Sequence, residues 1–344
     1  MYNTIKSQNT NNLHVFLSFP EKDWCYYGLS RYISCDIIDM YPKKPWCWEN
    51  ISRNCKITHE FIEKNIDKNW SWVDLSANPV VTPDFIEKHF DWQWVWWSVS
   101  SNPSLSIEFV KNNLNLPWCF DTLSSNPAMT PTIITENNFK WNWKYVTNNP
   151  SITDDFIIRY QNMNWNWTAL SSIVGTIVVD TLPDKPWLWG SWGLSDNKNI
   201  NLDFIQKHCD KQWDCTGLLG NSSVITVTQD ILNSIVSMKL IHLHPIERMI
   251  ISNIQGKKKY LSSNQSLTDN IVINNKNFPW YFGHNGLSNN LSLTFYSVYH
   301  TMNKEWDFEE VSRNIVSKQN IIDFPGMNWN WKELSHNERV HNFK

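Results

Sequence analysis

The residues best suited to chemistry lie between positions 208 and 259. His242 and His244 stand two apart and offer two imidazole ligands, with His208, Cys209 and Cys215 not far away in sequence. A structural zinc site wants four ligands in short paired spacings, and none of these spacings fits one, so no metal is expected. The run Lys257-Lys258-Lys259 is the one candidate binding site. Three adjacent ammonium groups make either a solvated loop or a docking patch for an acidic partner or a phosphate. Signatures for phosphate-cradling loops, dinucleotide binding, zinc proteolysis and a serine nucleophile are all missing from the sequence. The chain therefore reads as a non-enzyme without a cofactor.

Tryptophan is the other chemically conspicuous residue: there are 22, against 10 glycines. An aromatic in every unit of an array can stack bases or sugars, but nucleic-acid readers of that kind also need a basic groove. The formal net charge here is −3 and the pI about 6.4, so nucleic acid is not an expected partner and the tryptophans are assigned to a core. Seven cysteines, odd in number and without a Cys-x-x-Cys pair, suit reduced thiols better than a disulfide framework. The N-terminus, MYNTIKSQNTNN, has no apolar signal-like stretch, and no later run approaches the length of a membrane span. The expectation is a protein neither secreted nor inserted in a membrane.

The elements that hold these residues follow from a repeat of roughly 24 residues: Trp-x-Trp-x-x-(Leu/Ile/Val)-Ser-x-Asn-Pro-x-(Ile/Val/Leu)-Thr-x-(Asp/Glu)-Phe-(Ile/Val). Clear copies begin at Trp46, Trp70, Trp94, Trp118 and Trp141; Trp165, Trp189 and Trp213 continue the series, and Phe282, Trp306 and Trp329 open weaker copies. Trp24 opens a divergent one, Gly256 opens one whose tryptophans are lost, and a unit between Trp213 and Gly256 is unreadable. In the second half of the unit, Thr58, Thr82, Ser106, Thr130 and Thr153 stand where a helix N-cap belongs, with Glu60, Asp84, Glu108 and Asp155 in the first turn. Phe61-Ile62, Phe85-Ile86, Phe109-Val110 and Phe156-Ile157 then supply a buried face. The first half reads as a short helix opened by Pro45, Pro117, Pro186 or Pro279. Asn54, Asn78, Asn102, Asn126 and Asn149 close it in the left-handed conformation, and Pro79, Pro103, Pro127 and Pro150 forbid its continuation.

A leucine-rich repeat shares the Leu-Ser-x-Asn pattern, but it needs an apolar residue five before the Asn, where this chain has Glu49, Val73, Trp97, Asp121, Lys144 and Thr168. The fold class expected is therefore all-α: an α-solenoid of about thirteen short helix-turn-helix repeats. Residues 1–20 form a polar N-terminal segment, and 21–344 a single continuous array, degenerate around 173–180 and 229–260. Stacked at ~10 Å per unit, thirteen units give a rod or superhelix on the order of 100 Å long.

This unit, often preceded by Lys-Pro, resembles the repeat of uncharacterised Trp-rich proteins of mimivirus-like giant viruses. The likeness spans roughly 24 to 340 and is strongest around Asp-Lys-Asn-Trp-Ser-Trp-Val-Asp-Leu-Ser-Ala-Asn-Pro at 67 to 79. It implies a location in the cytoplasm of an infected host cell or in the virion, and no catalytic residue. The function expected by analogy with other repeat arrays is a scaffold presenting an extended surface to a protein partner. A self-associating structural component and a nucleic-acid-binding array are the alternatives.

Overall fold

The computed structural model describes residues 15–237, 243–252 and 258–341. Among them are 26 short α-helices and no strand, which fits the all-α repeat expectation. The capping residues behave as their chemistry dictates. Thr58, Thr82, Ser106, Thr130 and Thr153 each accept the N–H three residues on through the side-chain oxygen, opening helices His59–Lys64, Pro83–Lys88, Ile107–Asn112, Pro131–Glu136 and Asp154–Arg159. The Phe-Ile pairs after these caps are buried. Helices this short gain little from their own hydrogen bonds, so their stability must come from the units on either side.

Three side-chain devices recur from unit to unit. First, a tryptophan donates its indole N–H to a carbonyl just upstream. Among the described residues this holds for Trp24, Trp46, Trp70, Trp94, Trp118, Trp141, Trp165, Trp187, Trp213, Trp280, Trp306 and Trp329. Burying the large indole therefore leaves no orphan donor. In the two copies where the sequence pattern points to Trp189 and Phe282, the members of this series are Trp187 and Trp280. The first helix also begins later than expected: Trp46 lies in a turn, its N–H 2.8 Å from the Lys44 carbonyl, and the helix runs Trp48–Ser52.

Second, the serine after the repeat's aliphatic residue joins neighbours. Ser52 Oγ donates to the Trp48 carbonyl at 2.8 Å and accepts the N–H of Ser71 in the next unit at 2.9 Å. Equivalent acceptance links Ser30 to Cys47, Ser76 to Val95, Ser100 to Cys119, Ser124 to Asn142, Thr147 to Asn166, Ser171 to Leu188, Ser195 to Asp214, Ser262 to Tyr281, Ser288 to Asp307 and Ser312 to Asn330.

Third, the repeated Asn faces two ways. Asn102 Oδ1 accepts the Ser104 N–H at 2.9 Å, while Nδ2 reaches back to the carbonyls of Ser76, Asn78 and Val81 at 3.1, 3.0 and 2.8 Å. The left-handed conformation expected for these asparagines is not found. Asn126, for example, has φ −73° and ψ 127°, and the only described non-glycine residues with positive φ are Trp192 and Asn285. Once the amide turns the chain with its own oxygen and spans to the previous unit with its nitrogen, the backbone no longer needs the left-handed region.

Two departures from the repeat take physical form. At 171–176 the turn is shortened and its Asn is lost; the Gly175 N–H instead meets the Asp154 carboxylate at 3.1 Å, and helix Thr176–Thr181 still buries Val178 and Val179. In 229–260 the Asn264 amide reaches the Leu219 and Ile225 carbonyls directly, at 2.8 and 3.0 Å. The copy after the gap thus stacks on the copy before it. What intervenes among the described residues is helix Pro245–Ser252, with Ile246, Ile250 and Ile251 buried, rather than one more unit of the series.

The first and last described copies meet. The Cys25 N–H donates to Ser335 Oγ at 2.9 Å, the same bond that joins eleven other pairs of neighbours, across 310 residues of chain. Trp331 meets Trp24 edge-on at 5.3 Å and 74°, as Trp48 meets Trp70 at 5.1 Å and 72°. Helix Val15–Ser18, inside the segment set apart as polar, buries Phe16 against Trp24 and Trp46.

Candidate functional site

Several first helices carry an exposed residue at one shared position. It falls three residues after the indole-donating Trp, on the helix face away from the buried aliphatic and serine. Tyr27, Glu49, Val73, Trp97, Asp121 and Lys144 occupy it in six successive units, and all are exposed. Because the units stack in register, these side chains form one row. Glu309 and Lys332 hold the same place in the last two copies and are also exposed, so the row carries across the contact between the chain's ends. Tyr27 is 52% exposed, Val73 41% and Trp97 55%, which puts three large apolar side chains in water within four units. Of the 22 tryptophans only Trp97 and Trp192 are exposed, so the assignment of the repeated Trp to the core describes the other twenty.

The second helices carry charge instead. Lys64 pairs with Asp39 at 2.8 Å, Lys88 with Glu63 at 2.7 Å and Lys207 with Asp180 at 2.9 Å, each reaching back one unit. Burial alone would raise the Asp180 carboxyl, but Lys207 and His208 outweigh it and hold the group below the usual carboxylate range. Exposed pairs of this kind contribute little stability singly. They leave that side of the array charged and wet.

The sequence-predicted site residues do not converge. Lys257 lies outside the described residues, and Lys258 opens helix Lys258–Ser262. Lys259 is exposed and holds its ammonium 4.9 Å over the Tyr260 ring. His242 also lies outside the described residues. His244 works as a cap: its Nδ1 accepts the Ile246 N–H, and its own N–H donates to Glu247. His208 is held by Asp180 at 2.9 Å. Cys209 is exposed, Cys215 is half-buried, and no described group of three or more His, Cys, Asp or Glu side chains could hold a metal ion.

Sequence reasoning missed two features. One is the joining serine, whose signal was a hydroxyl residue beside a fully buried aliphatic in every copy but the one at Trp213, which has Leu219 there. The other is a cleft of about 460 Å³ whose lining includes Trp192, Asp196, Lys198, Asp214, Tyr260 and Gln265. Its walls come from three different copies. Burial would raise the Asp214 carboxyl, but Ser191 Oγ and the N–H groups of Thr216 and Gly217 donate to it and keep it below its ordinary value. Among the described residues no helix is long and apolar enough to cross a membrane. Compared with known protein families, with curated proteins and with solved structures, the chain matches none.

Proposed function

We propose that the chain is an α-solenoid of thirteen units closed into a ring, and that it serves as a non-enzymatic scaffold holding a protein partner along its row of exposed first-helix residues. Twelve hydroxyl bonds between units, one of them Ser335 to Cys25, support the count together with a thirteenth joint where Leu219 replaces the serine. At ~10 Å per unit, such a ring measures about 130 Å around and about 40 Å between opposite helix axes. A ring has no free ends to fray, which suits a rigid platform better than an open array.

The observation that carries the binding reading is the row itself. One position per unit varies freely among aromatic, aliphatic, acidic and basic types while its neighbours are fixed by the stack, and its apolar members are left in water. Aromatic side chains in exposed positions are the usual anchors of protein interfaces. The infected-cell or virion setting implied by the repeat belongs to the same reading.

The test is affinity purification of the tagged protein from its native host cell, with and without nuclease, beside a variant carrying Val73→Asp and Trp97→Asp. A stoichiometric protein that survives nuclease and is lost with the variant is the expected result. Recovery of RNA or DNA alone, abolished by nuclease, would replace the scaffold with a nucleic-acid array. Capture of the chain by itself, with a mass that rises with concentration, would make it a self-associating component.

A further inference from the structure

We infer that the cleft beneath Trp192 is a carbohydrate-binding site, a property separate from the scaffold reading and independent of it. The argument starts from a comparison inside the chain. Two units carry the same short insertion after the aromatic pair, Gly190-Ser191-Trp192-Gly193 and Gly283-His284-Asn285-Gly286. Both loops close alike: the Leu194 N–H donates to the Leu188 carbonyl and the Leu287 N–H to the Tyr281 carbonyl, each at 2.8 Å. Both third residues are left-handed, Trp192 at φ +64° and Asn285 at φ +61°.

Asparagine is the non-glycine residue that tolerates this conformation best, and a bulky aromatic is among those that tolerate it worst. Trp192 is also 85% exposed, the most exposed large hydrophobic residue described. Neither the loop's geometry nor the core calls for a tryptophan here. The neighbourhood does, because the indole stands at the rim of the cleft.

The cleft's chemistry selects the ligand. Its volume lies within the range of small-molecule sites. Its lining offers groups of both kinds: the Asp196 carboxylate accepts, the Lys198 ammonium donates and the Gln265 amide does either, while Asp214 is held by Ser191, Thr216 and Gly217. A ligand that uses such a wall is dense in hydroxyls and close to neutral. The indole face, with its negative quadrupole, suits the weakly positive C–H face of a pyranose ring. A cationic ligand fits less well, because Lys198 lines the cleft and Lys259 already sits over the Tyr260 ring. Asp196 also accepts the Trp192 N–H at 2.5 Å, fixing the loop that presents the indole.

The experiment uses the full chain labelled with ¹⁵N at tryptophan, with chitotetraose, cellotetraose, maltotetraose and mannotetraose as probes and tetramethylammonium chloride as the cation control. The Trp192 indole resonance is identified by its absence from a Trp192→Asn variant. At least one sugar is expected to shift it saturably, and affinity measured by calorimetry should fall about tenfold or more in Trp192→Asn. Because Asn285 occupies the same conformation, Trp192→Asn is expected to fold with an unchanged or higher Tm. No shift with any of the four sugars would overturn the assignment. So would a shift with tetramethylammonium alone, or a lower Tm in Trp192→Asn, which would make the indole structural. None of these outcomes bears on the capture experiment that tests the scaffold.

Discussion

An interior joint and the joint between the chain's ends share some bonds and differ in others. Between the copies at Trp70 and Trp94, Ser76 accepts the Val95 N–H and Asn102 reaches back from within the next copy to three buried carbonyls. Between the last copy and the first, Ser335 accepts the Cys25 N–H and the Trp331–Trp24 contact is kept, but the first copy has Tyr32 near the place of the Asn. Its turn is shorter there. The work of the amide passes to Lys56, whose ammonium bridges the Tyr32 and His341 carbonyls at 3.0 and 2.9 Å, while the His341 ring stacks on Tyr32 at 5.5 Å and 11°. The closing joint therefore keeps the hydroxyl bond and the aromatic edge and replaces the amide bridge by a longer cation, whereas the joint after the copy at Trp213 keeps the amide bridge and has Leu219 in place of the hydroxyl.

The comparison sharpens most at Asn102. Replacing it with Leu removes its bonds to the carbonyls of Ser76, Asn78 and Val81 and to the Ser104 N–H all at once, with only Asn78 keeping a second donor, the Val81 N–H. A loss of about 3–5 kcal/mol in urea denaturation is expected. A loss no larger than that of a surface substitution would mean that the amides do not hold the stack.

The closing joint buries a histidine completely, whereas the histidines that span interior joints, His89 on Glu63 and His208 on Asp180, are only partly buried. Burial first, then the charges of Lys56 and His336, lower the His341 pKa to about 4, with the Leu334 carbonyl opposing. A depressed histidine pKa means that the unfolded chain takes up the proton before the folded one does. The stabilisation is thus complete above about pH 6.5 and is lost as pH falls toward 4, by up to about 3 kcal/mol. The difference in Tm between wild type and His341→Gln, followed from pH 7.5 to pH 4.5, should shrink or change sign in that direction; a difference independent of pH would place His341 in water.

The shared bond is tested by symmetry. Ser335→Ala and Ser76→Ala each remove an acceptor from a partly buried backbone N–H, and each is expected to cost about 1–2 kcal/mol. Equal losses support one kind of joint throughout; a neutral Ser335→Ala would leave Cys25 unbonded to it in solution. The smallest effect belongs to Lys332→Ala. Its pair with Asp23 spans the same joint at 3.5 Å but is exposed on both sides, so the change in stability should stay within about 0.5 kcal/mol.

What the sequence revealed follows the range of each interaction. The Thr58 and Thr82 caps, the Phe-Ile faces and the helix-turn-helix order were legible because a hydroxyl and an N–H three residues away settle them locally. Asn102 was half legible: its turn with Ser104 is local, but its three bonds to the preceding unit are not, and overlooking them led to a left-handed backbone that it does not adopt. The Ser335 bond to Cys25 left no sign, because a repeat pattern is identical whether an array stays open or curves round to meet itself. Trp192 was hidden for the opposite reason. Among so many core tryptophans, one in a two-glycine loop looked like another anchor, although its flanking Gly190 and Gly193 matched Gly283 and Gly286 around Asn285.

Closure is tested most directly by the distance between the two ends in solution. Residues 23 and 332, both exposed, can be replaced by a ketone-bearing amino acid and labelled with a donor–acceptor pair, leaving the seven cysteines untouched. A closed ring predicts transfer near its maximum, because the positions are neighbours. Transfer near zero, as for ends separated by on the order of 100 Å in an open stack of thirteen units, would contradict it.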